Sequence, residues 1–269
     1  MKKALFMAML ICISAVSFAG CSADKKASSS QAQTQAQAIV TGTEAATQQE
    51  ATQNVSEQAQ VQPGEAVDAS WFNDAVFLGD SVTLKLSYYC EEHPEALGTA
   101  QFFCAGSLGY TNALWDLNAE DAVHPYYKGA VQLSENCAVA TGAKKVFVML
   151  GMNDIGLYGV EDTLQSLNNL LSKIHTNSPE AAIYVQSVTP ILNVFENGSF
   201  SNETVRAFNA RVSQYCEVNG LKYIDIYSLM CDENGYLKPE NCGDPEALGI
   251  HFTDSACEIW IDALKRNAA

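Results

Sequence analysis

Four short segments carry the residue types that could move an acyl group. Gly79-Asp80-Ser81 offers a hydroxyl, and Gly249-Ile250-His251 offers an imidazole. Gly106-Ser107-Leu108-Gly109 and Gly151-Met152-Asn153-Asp154 offer backbone and side-chain N–H donors. Acyl transfer needs these three kinds of group: a nucleophile, a base that takes its proton and returns it to the leaving alcohol, and donors aimed at the oxygen that becomes negative. Taken singly, each segment has a plainer reading. Ser81 or Asp80 could cap a helix, Gly109 could serve a turn, Asn153 an Asx-turn, and His251 could be a loop histidine without a partner. What the four share is position, because each follows or lies near the end of an apolar run that reads as a strand.

The elements that must position them follow from periodicity. Ala75 to Leu78, Gln101 to Ala105, Lys145 to Leu150, Ala182 to Val188 and Leu221 to Ile226 read as strands. The third is almost wholly apolar, as a strand covered on both faces should be. A helix is predicted near Val82 to Cys90, ended by His93-Pro94. Val160 to Thr176 carries Leu164, Leu167, Leu170, Leu171 and Ile174 at helical spacing. Another helix starts at Ser201-Asn202-Glu203, buries Val205, Phe208, Val212 and Tyr215, and stops at Gly220. The last begins at Thr253 and runs through Cys257, Trp260, Ile261 and Leu264. This alternation predicts a doubly wound parallel sheet with right-handed crossovers. Ligands of such sheets bind at the carboxyl ends of the strands, where all four segments fall or can reach.

The set Gly-Asp-Ser, Gly-x-x-Gly-x-Thr, Gly-x-Asn-Asp and a late Gly-x-His-hydrophobic-Thr resembles the SGNH (GDSL-type) hydrolase superfamily, in order and spacing, over roughly residues 70 to 268. The resemblance implies a flavodoxin-like three-layer α/β/α sandwich with a five-stranded parallel sheet, and chemistry without cofactor or metal. It implies Ser81 as nucleophile, His251 as base, and Gly109 and Asn153 as oxyanion donors beside the Ser81 N–H. Gly109 is preferred to Gly106 because Gly109-Tyr110-Thr111 matches the family's Gly-x-Thr. One piece departs. The family usually has Asp three residues before the histidine, and Leu248 stands there. Asp244, seven residues before, Asp254, just after on a face expected to point outward, and a backbone carbonyl remain open as orienters. The expectation is a Ser–His dyad or a triad completed by Asp244. A rival reading treats Ala105-Gly106-Ser107-Leu108-Gly109 as a variant nucleophile elbow of α/β-hydrolases, with Ser107, Asp225 and His251 in chain order.

The chain of 269 residues has a formal charge of -16, which argues against nucleic acid as a partner. Lys2 and Lys3 precede an apolar stretch, Ala4 to Ala19, too short to span a bilayer. Phe18-Ala19-Gly20-Cys21 resembles a bacterial lipobox, with Phe18 where Leu is usual. The resemblance implies cleavage before Cys21, lipidation of its sulfur and an outward-facing protein held to the membrane. Residues 22 to about 68 are rich in Ala, Gln, Ser and Thr and are expected to be a disordered tether spanning roughly 40 Å. The expected organisation is therefore 1–20 signal peptide, 21–68 lipidated cysteine and tether, and 69–269 hydrolase domain.

Setting aside Cys12 and Cys21 leaves Cys90, Cys104, Cys137, Cys216, Cys231, Cys242 and Cys257. No pair has C-x-x-C spacing, so a zinc site is not indicated. Cys231 and Cys242 flank a turn-rich segment and are the candidate bridge. His93, His124 and His175 read as surface or loop residues. The expected activity is an extracytoplasmic serine esterase removing short acyl groups, acetyl first, from cell-wall or other glycans. A lysophospholipase, a thioesterase and an O-acyltransferase stay open within the same fold. Phe195, Phe200 and Tyr126-Tyr127 are candidate walls for a longer acyl chain. A reading of another class is a tethered binding protein with a decayed site, which only Leu248 favours.

Overall fold

The computed structural model describes residues 64–267. The signal segment, Cys21 and residues 22–63 of the tether lie outside the described residues. The packed chain begins slightly ahead of the expected boundary at Ala69. The Val67 N–H donates to Lys265 O, and the Asp68 carboxylate accepts from Ser70 N.

The elements are β1 (Ala75–Gly79), α1 (Ser81–Glu92), β2 (Gln101–Cys104), β3 (Tyr126–Tyr127), β4 (Ala130–Val131), α2 (Cys137–Thr141), β5 (Lys145–Met149), α3 (Ile155–Asn177), β6 (Ala182–Gln186), α4 (Asn202–Asn219), β7 (Lys222–Ile224), α5 (Tyr227–Met230) and α6 (Asp254–Asn267). The main sheet has the order β2-β1-β5-β6-β7, and every pairing in it is parallel. Side chains alternate across a strand, so each strand feeds two cores. Val76, Leu78, Val146, Val148 and Val185 pack with Leu167, Leu170, Phe208 and Val212 on α3 and α4. Phe77, Phe147, Tyr184 and Ile224 pack with Leu86 on α1 and Trp260 and Leu264 on α6. The result is the expected three-layer sandwich.

Strand order reverses between β1 and β5. Chain leaving β1 turns one way and chain leaving β5 the other, which opens a crevice at their carboxyl ends. β1 closes on Gly79, where a Cβ would overlap the Thr83 side chain of α1. That close approach lets the helix begin at once, at Ser81.

Several boundaries differ from the sequence pattern, each for a local reason. α3 starts at Ile155, five residues early, but breaks at Gly159, whose φ is 74°. β7 is shorter than expected. The Ser187 hydroxyl accepts the N–H groups of Ile226 and Tyr227, and the Asp225 carboxylate accepts from Ser228, so the chain turns into α5 instead of extending the ladder. The two-residue strands β3 and β4 are too short to leave a periodic trace. The Cys231–Cys242 bridge is not made. The Cys231 thiol donates weakly to Ser228 O and the Cys242 thiol to Asp244 Oδ1, and all seven described cysteines are free.

Candidate active site

Asp80 caps α1, with Oδ1 accepting from Val82 N at 2.9 Å. Ser81 is therefore the first residue of the helix, with its hydroxyl at the positive end of the helix dipole. Its N–H donates to no group among the described residues. The Asp80 carboxyl is almost wholly buried, and burial pushes its pKa up to about 7 against the pull of the Val82 and Thr83 N–H groups and of His251.

His251 reaches back from the loop before α6. Its Nε2 lies 2.8 Å from Ser81 Oγ and its Nδ1 lies 2.7 Å from Asp244 Oδ2. An ionised carboxylate can only accept, so Nδ1 carries the imidazole proton and Nε2 is left to accept from the Ser81 hydroxyl. Asp244 Oδ1 also accepts the N–H groups of Ile250 and His251, both at 3.0 Å. Burial raises the Asp244 pKa, but the hydrogen bonds from the His251 side chain and backbone outweigh it and hold the carboxyl below its ordinary 3.8.

The loop explains how an aspartate seven residues away takes this place. Ala247 N and Gly249 N both donate to Asp244 O, which closes a turn over residues 244–249. Gly249 adopts φ 66°, and a Cβ there would strike the Phe195 ring. Gly243 N donates to His251 O, and Cys242 pairs with Phe252. The excursion brings Asp244 back beside His251 and leaves Leu248, in the usual aspartate position, 55% exposed. Asp254 lies elsewhere, paired with Lys85.

The expected oxyanion donors are only partly free. Asn153 Nδ2 sits between Leu108 O, at 3.0 Å, and Asp80 Oδ2, at 3.4 Å, which places it one residue from Ser81. The Gly109 N–H is already engaged and donates to Asn112 Oδ1 at 2.8 Å. The turn that carries Gly109 is fastened by Asp154, a residue that sequence reading left inside its segment without a role. Its two carboxylate oxygens accept from Tyr110 N at 2.8 Å and Thr111 N at 2.9 Å, and a Cβ on Gly109 would overlap them. Asp154→Ala leaves two N–H groups without an acceptor. It is expected to cost about 2–4 kcal/mol, read as the urea midpoint at unchanged slope.

The rival set around Ser107 is not assembled. Ser107 is exposed with φ 62°, its carbonyl accepts from Asn112 Nδ2, and Asp225 is taken by Ser228. His251 pairs with Ser81 instead. Of the other histidines, His93 stacks on Tyr89 and His175 ends α3. His124 lies in a loop but is buried rather than exposed, with both ring nitrogens unpartnered. Among the described residues no three His, Cys, Asp or Glu side chains converge as a metal site requires.

Two open grooves reach the site, one at Asn153 and one at His251. One, of about 540 Å³, runs from Asn153 past Met152, Leu157, Asn197, Ser199 and Phe200. The other, of about 460 Å³, lies beyond His251 between Lys85, Thr253 and Asp254. Phe195 packs against the histidine loop, whereas Tyr127 packs on Phe103 at the outer strand β2.

The model of the GDSL-like Lipase/Acylhydrolase family matches residues 77–259. Among solved structures, a GDSL-like lipase from Bacteroides thetaiotaomicron VPI-5482 is similar at TM-score 0.53 and 16% identity, over 72% of this chain and 86% of its own. A structure provisionally named a platelet activating factor, from Streptococcus pneumonia, is similar at TM-score 0.53 and 19% identity, over 77% of this chain and 85% of its own. Another, provisionally named an arylesterase, from Agrobacterium tumefaciens str. C58, is similar at TM-score 0.50 and 17% identity, over 71% of this chain and 96% of its own. At such identities the likeness is one of fold. Comparison with the curated proteins gave no match.

Proposed function

This chain belongs to the GDSL-like lipase/acylhydrolase family and is an ester hydrolase, and from that premise we propose that Ser81, His251 and Asp244 form its catalytic triad and that short acyl esters, acetyl first, on extracytoplasmic glycans are its substrates. The relay of 2.8 Å and 2.7 Å contacts from Ser81 through His251 to Asp244 carries the reading.

In the acylation step Ser81 Oγ attacks the ester carbonyl carbon while His251 Nε2 takes the hydroxyl proton. The carbonyl oxygen becomes an oxyanion beside the Ser81 N–H, Asn153 Nδ2 and Gly109 N–H. The intermediate collapses with cleavage of the ester C–O bond, and His251 returns the proton to the leaving alcohol. Water then attacks the acyl-serine with the same base. It gives a free carboxylic acid and restores Ser81. Asp244 stabilises the imidazolium in both halves and stays ionised throughout.

Groove chemistry supports the substrate class. A long acyl chain wants an unbroken apolar wall, whereas Asn197, Ser199 and the backbone of Gly156 and Gly198 interleave with Leu157 and Phe200. Mixed walls suit a sugar ring, which has apolar faces and hydroxyl edges. The Lys85–Asp254 pair in the second groove offers a donor and an acceptor to further hydroxyls. Location is supported by residues 1–68, whose basic start, apolar stretch, Cys21 and Ala/Gln/Ser/Thr-rich run fit a lipid-anchored exported protein.

An ester panel graded from acetyl to palmitoyl tests this, with Ser81→Ala as the blank. kcat/KM is expected to be highest for acetyl and to fall by about tenfold or more by octanoyl. A maximum at long chains would replace the glycan reading by a lysophospholipase or thioesterase. Acetate released with and without an acceptor sugar separates hydrolysis from transfer.

A further inference from the structure

The engaged Gly109 N–H has a consequence for catalysis. Asn112 uses both ends of its side-chain amide on the turn that carries Gly109. Oδ1 accepts the Gly109 N–H at 2.8 Å, and Nδ2 donates to Ser107 O at 2.9 Å. We infer that Asn112 is a positioning residue that clasps the Gly109 N–H in the resting enzyme and yields it to the oxyanion only as negative charge develops. This rests on the Ser81 triad proposed above.

Three features make the exchange workable. First, the backbone is held independently of Asn112. Asp154 fixes the N–H groups of Tyr110 and Thr111, and Leu108 O is tied to Asn153 Nδ2. Releasing Gly109 therefore needs rotation of one side chain and no movement of the turn. Second, Asn112 is only half-buried and opens a short 3-10 helix, Asn112–Leu114, so its amide can turn toward water. Third, acceptor strengths have the right order. A neutral amide oxygen is a weaker acceptor than an oxyanion, so the substrate's neutral carbonyl gains little from displacing Asn112 and the tetrahedral oxyanion gains much. An interaction made only in the transition state raises kcat without tightening the ground state. In the resting enzyme the Ser81 N–H is open and Asn153 stands beside it, and Gly109 completes the set on demand.

The test uses the full chain, isotopically labelled, before and after reaction of Ser81 with a fluorophosphonate, whose phosphoryl oxygen mimics the oxyanion. In the wild type the Gly109 amide proton is expected to move downfield on labelling, with a matching change in the Asn112 side-chain amide. Asn112→Ala is expected to keep the Gly109 response, since Asp154 still holds the turn and the water that takes the place of the amide is displaced in its turn. Asn112→Asp supplies a charged acceptor that does not yield. It is expected to leave the Gly109 amide unmoved on labelling and to lower kcat by about tenfold or more with KM unchanged. A merely structural Asn112 would be damaged in both variants, since each loses the donor to Ser107 O, and the Gly109 response would then be lost in Asn112→Ala as well. A labelled wild type in which Gly109 does not respond overturns the clasp and leaves the triad standing. Failure of Ser81 to label overturns the triad and the clasp together.

Discussion

Ser81→Ala is expected to lower kcat/KM on an aryl acetate by about 10⁴-fold or more, because nothing else in the site can form the acyl-enzyme. The loss should be chemical rather than structural. Alanine suits the first turn of a helix, and the cap of α1 is made by Asp80, which the substitution does not touch. The free energy of unfolding should therefore stay within about 1 kcal/mol of the parent. Ser107→Ala is the paired control. Ser107 is exposed and His251 is committed to Ser81, so kcat should stay within about threefold of the parent. The residual rate of Ser81→Ala above water reports what oxyanion donors and substrate binding achieve alone.

Asp244→Asn is expected to lower kcat by roughly 10²–10⁴-fold with little change in KM. The size follows from where the new amide must point. Asp244 Oδ1 accepts two backbone N–H groups, from Ile250 and His251, and only an oxygen can keep them satisfied. The asparagine oxygen takes that place, and its NH2 then faces His251 Nδ1 where Oδ2 had been. A donor opposite Nδ1 requires the lone pair there and the proton on Nε2. In that tautomer His251 cannot take the Ser81 proton. Folding should survive, since the backbone contacts persist. The acid limb of stability should change as well. Asp244 titrates lower in the folded than in the unfolded chain, so its contribution is present above the ordinary carboxylate value of 3.8 and is lost as pH falls through the folded value. The asparagine variant should lack that component in acid unfolding.

Much of the sheet was legible because its information is local. The apolar runs that became β1, β5 and β6 and the helical stripes of α3, α4 and α6 are periodic over enough residues to be read. Placement of Ser81 and Asn153 followed, since each comes directly after a strand at the point where the order reverses. What could not be read depends on backbone geometry rather than residue type. Asp244 stood ahead of Asp254, which was expected to face outward, but spacing alone did not exclude a dyad or a carbonyl, and the choice rests on a turn closed by Gly249 at positive φ and by two hydrogen bonds to the Asp244 carbonyl. Asp154 stood inside a signature segment, yet its work is to fasten the Gly109 turn more than forty positions earlier. Asn112 had no signature at all. Its importance appears only when the partner of the Gly109 N–H is known. The periodic pattern begins only at Val160, so the helical stretch from Ile155 and the break at Gly159 that separates it from that pattern were not read.

The rate and site of fluorophosphonate labelling, followed by peptide mass spectrometry in the parent and in Asp244→Asn, tests the triad most directly. A single label on Ser81, formed at least about a hundredfold more slowly in Asp244→Asn, is the expected result. A label on Ser107 or elsewhere would contradict Ser81 as nucleophile, and equal labelling rates in the two proteins would contradict Asp244 as the group that holds His251.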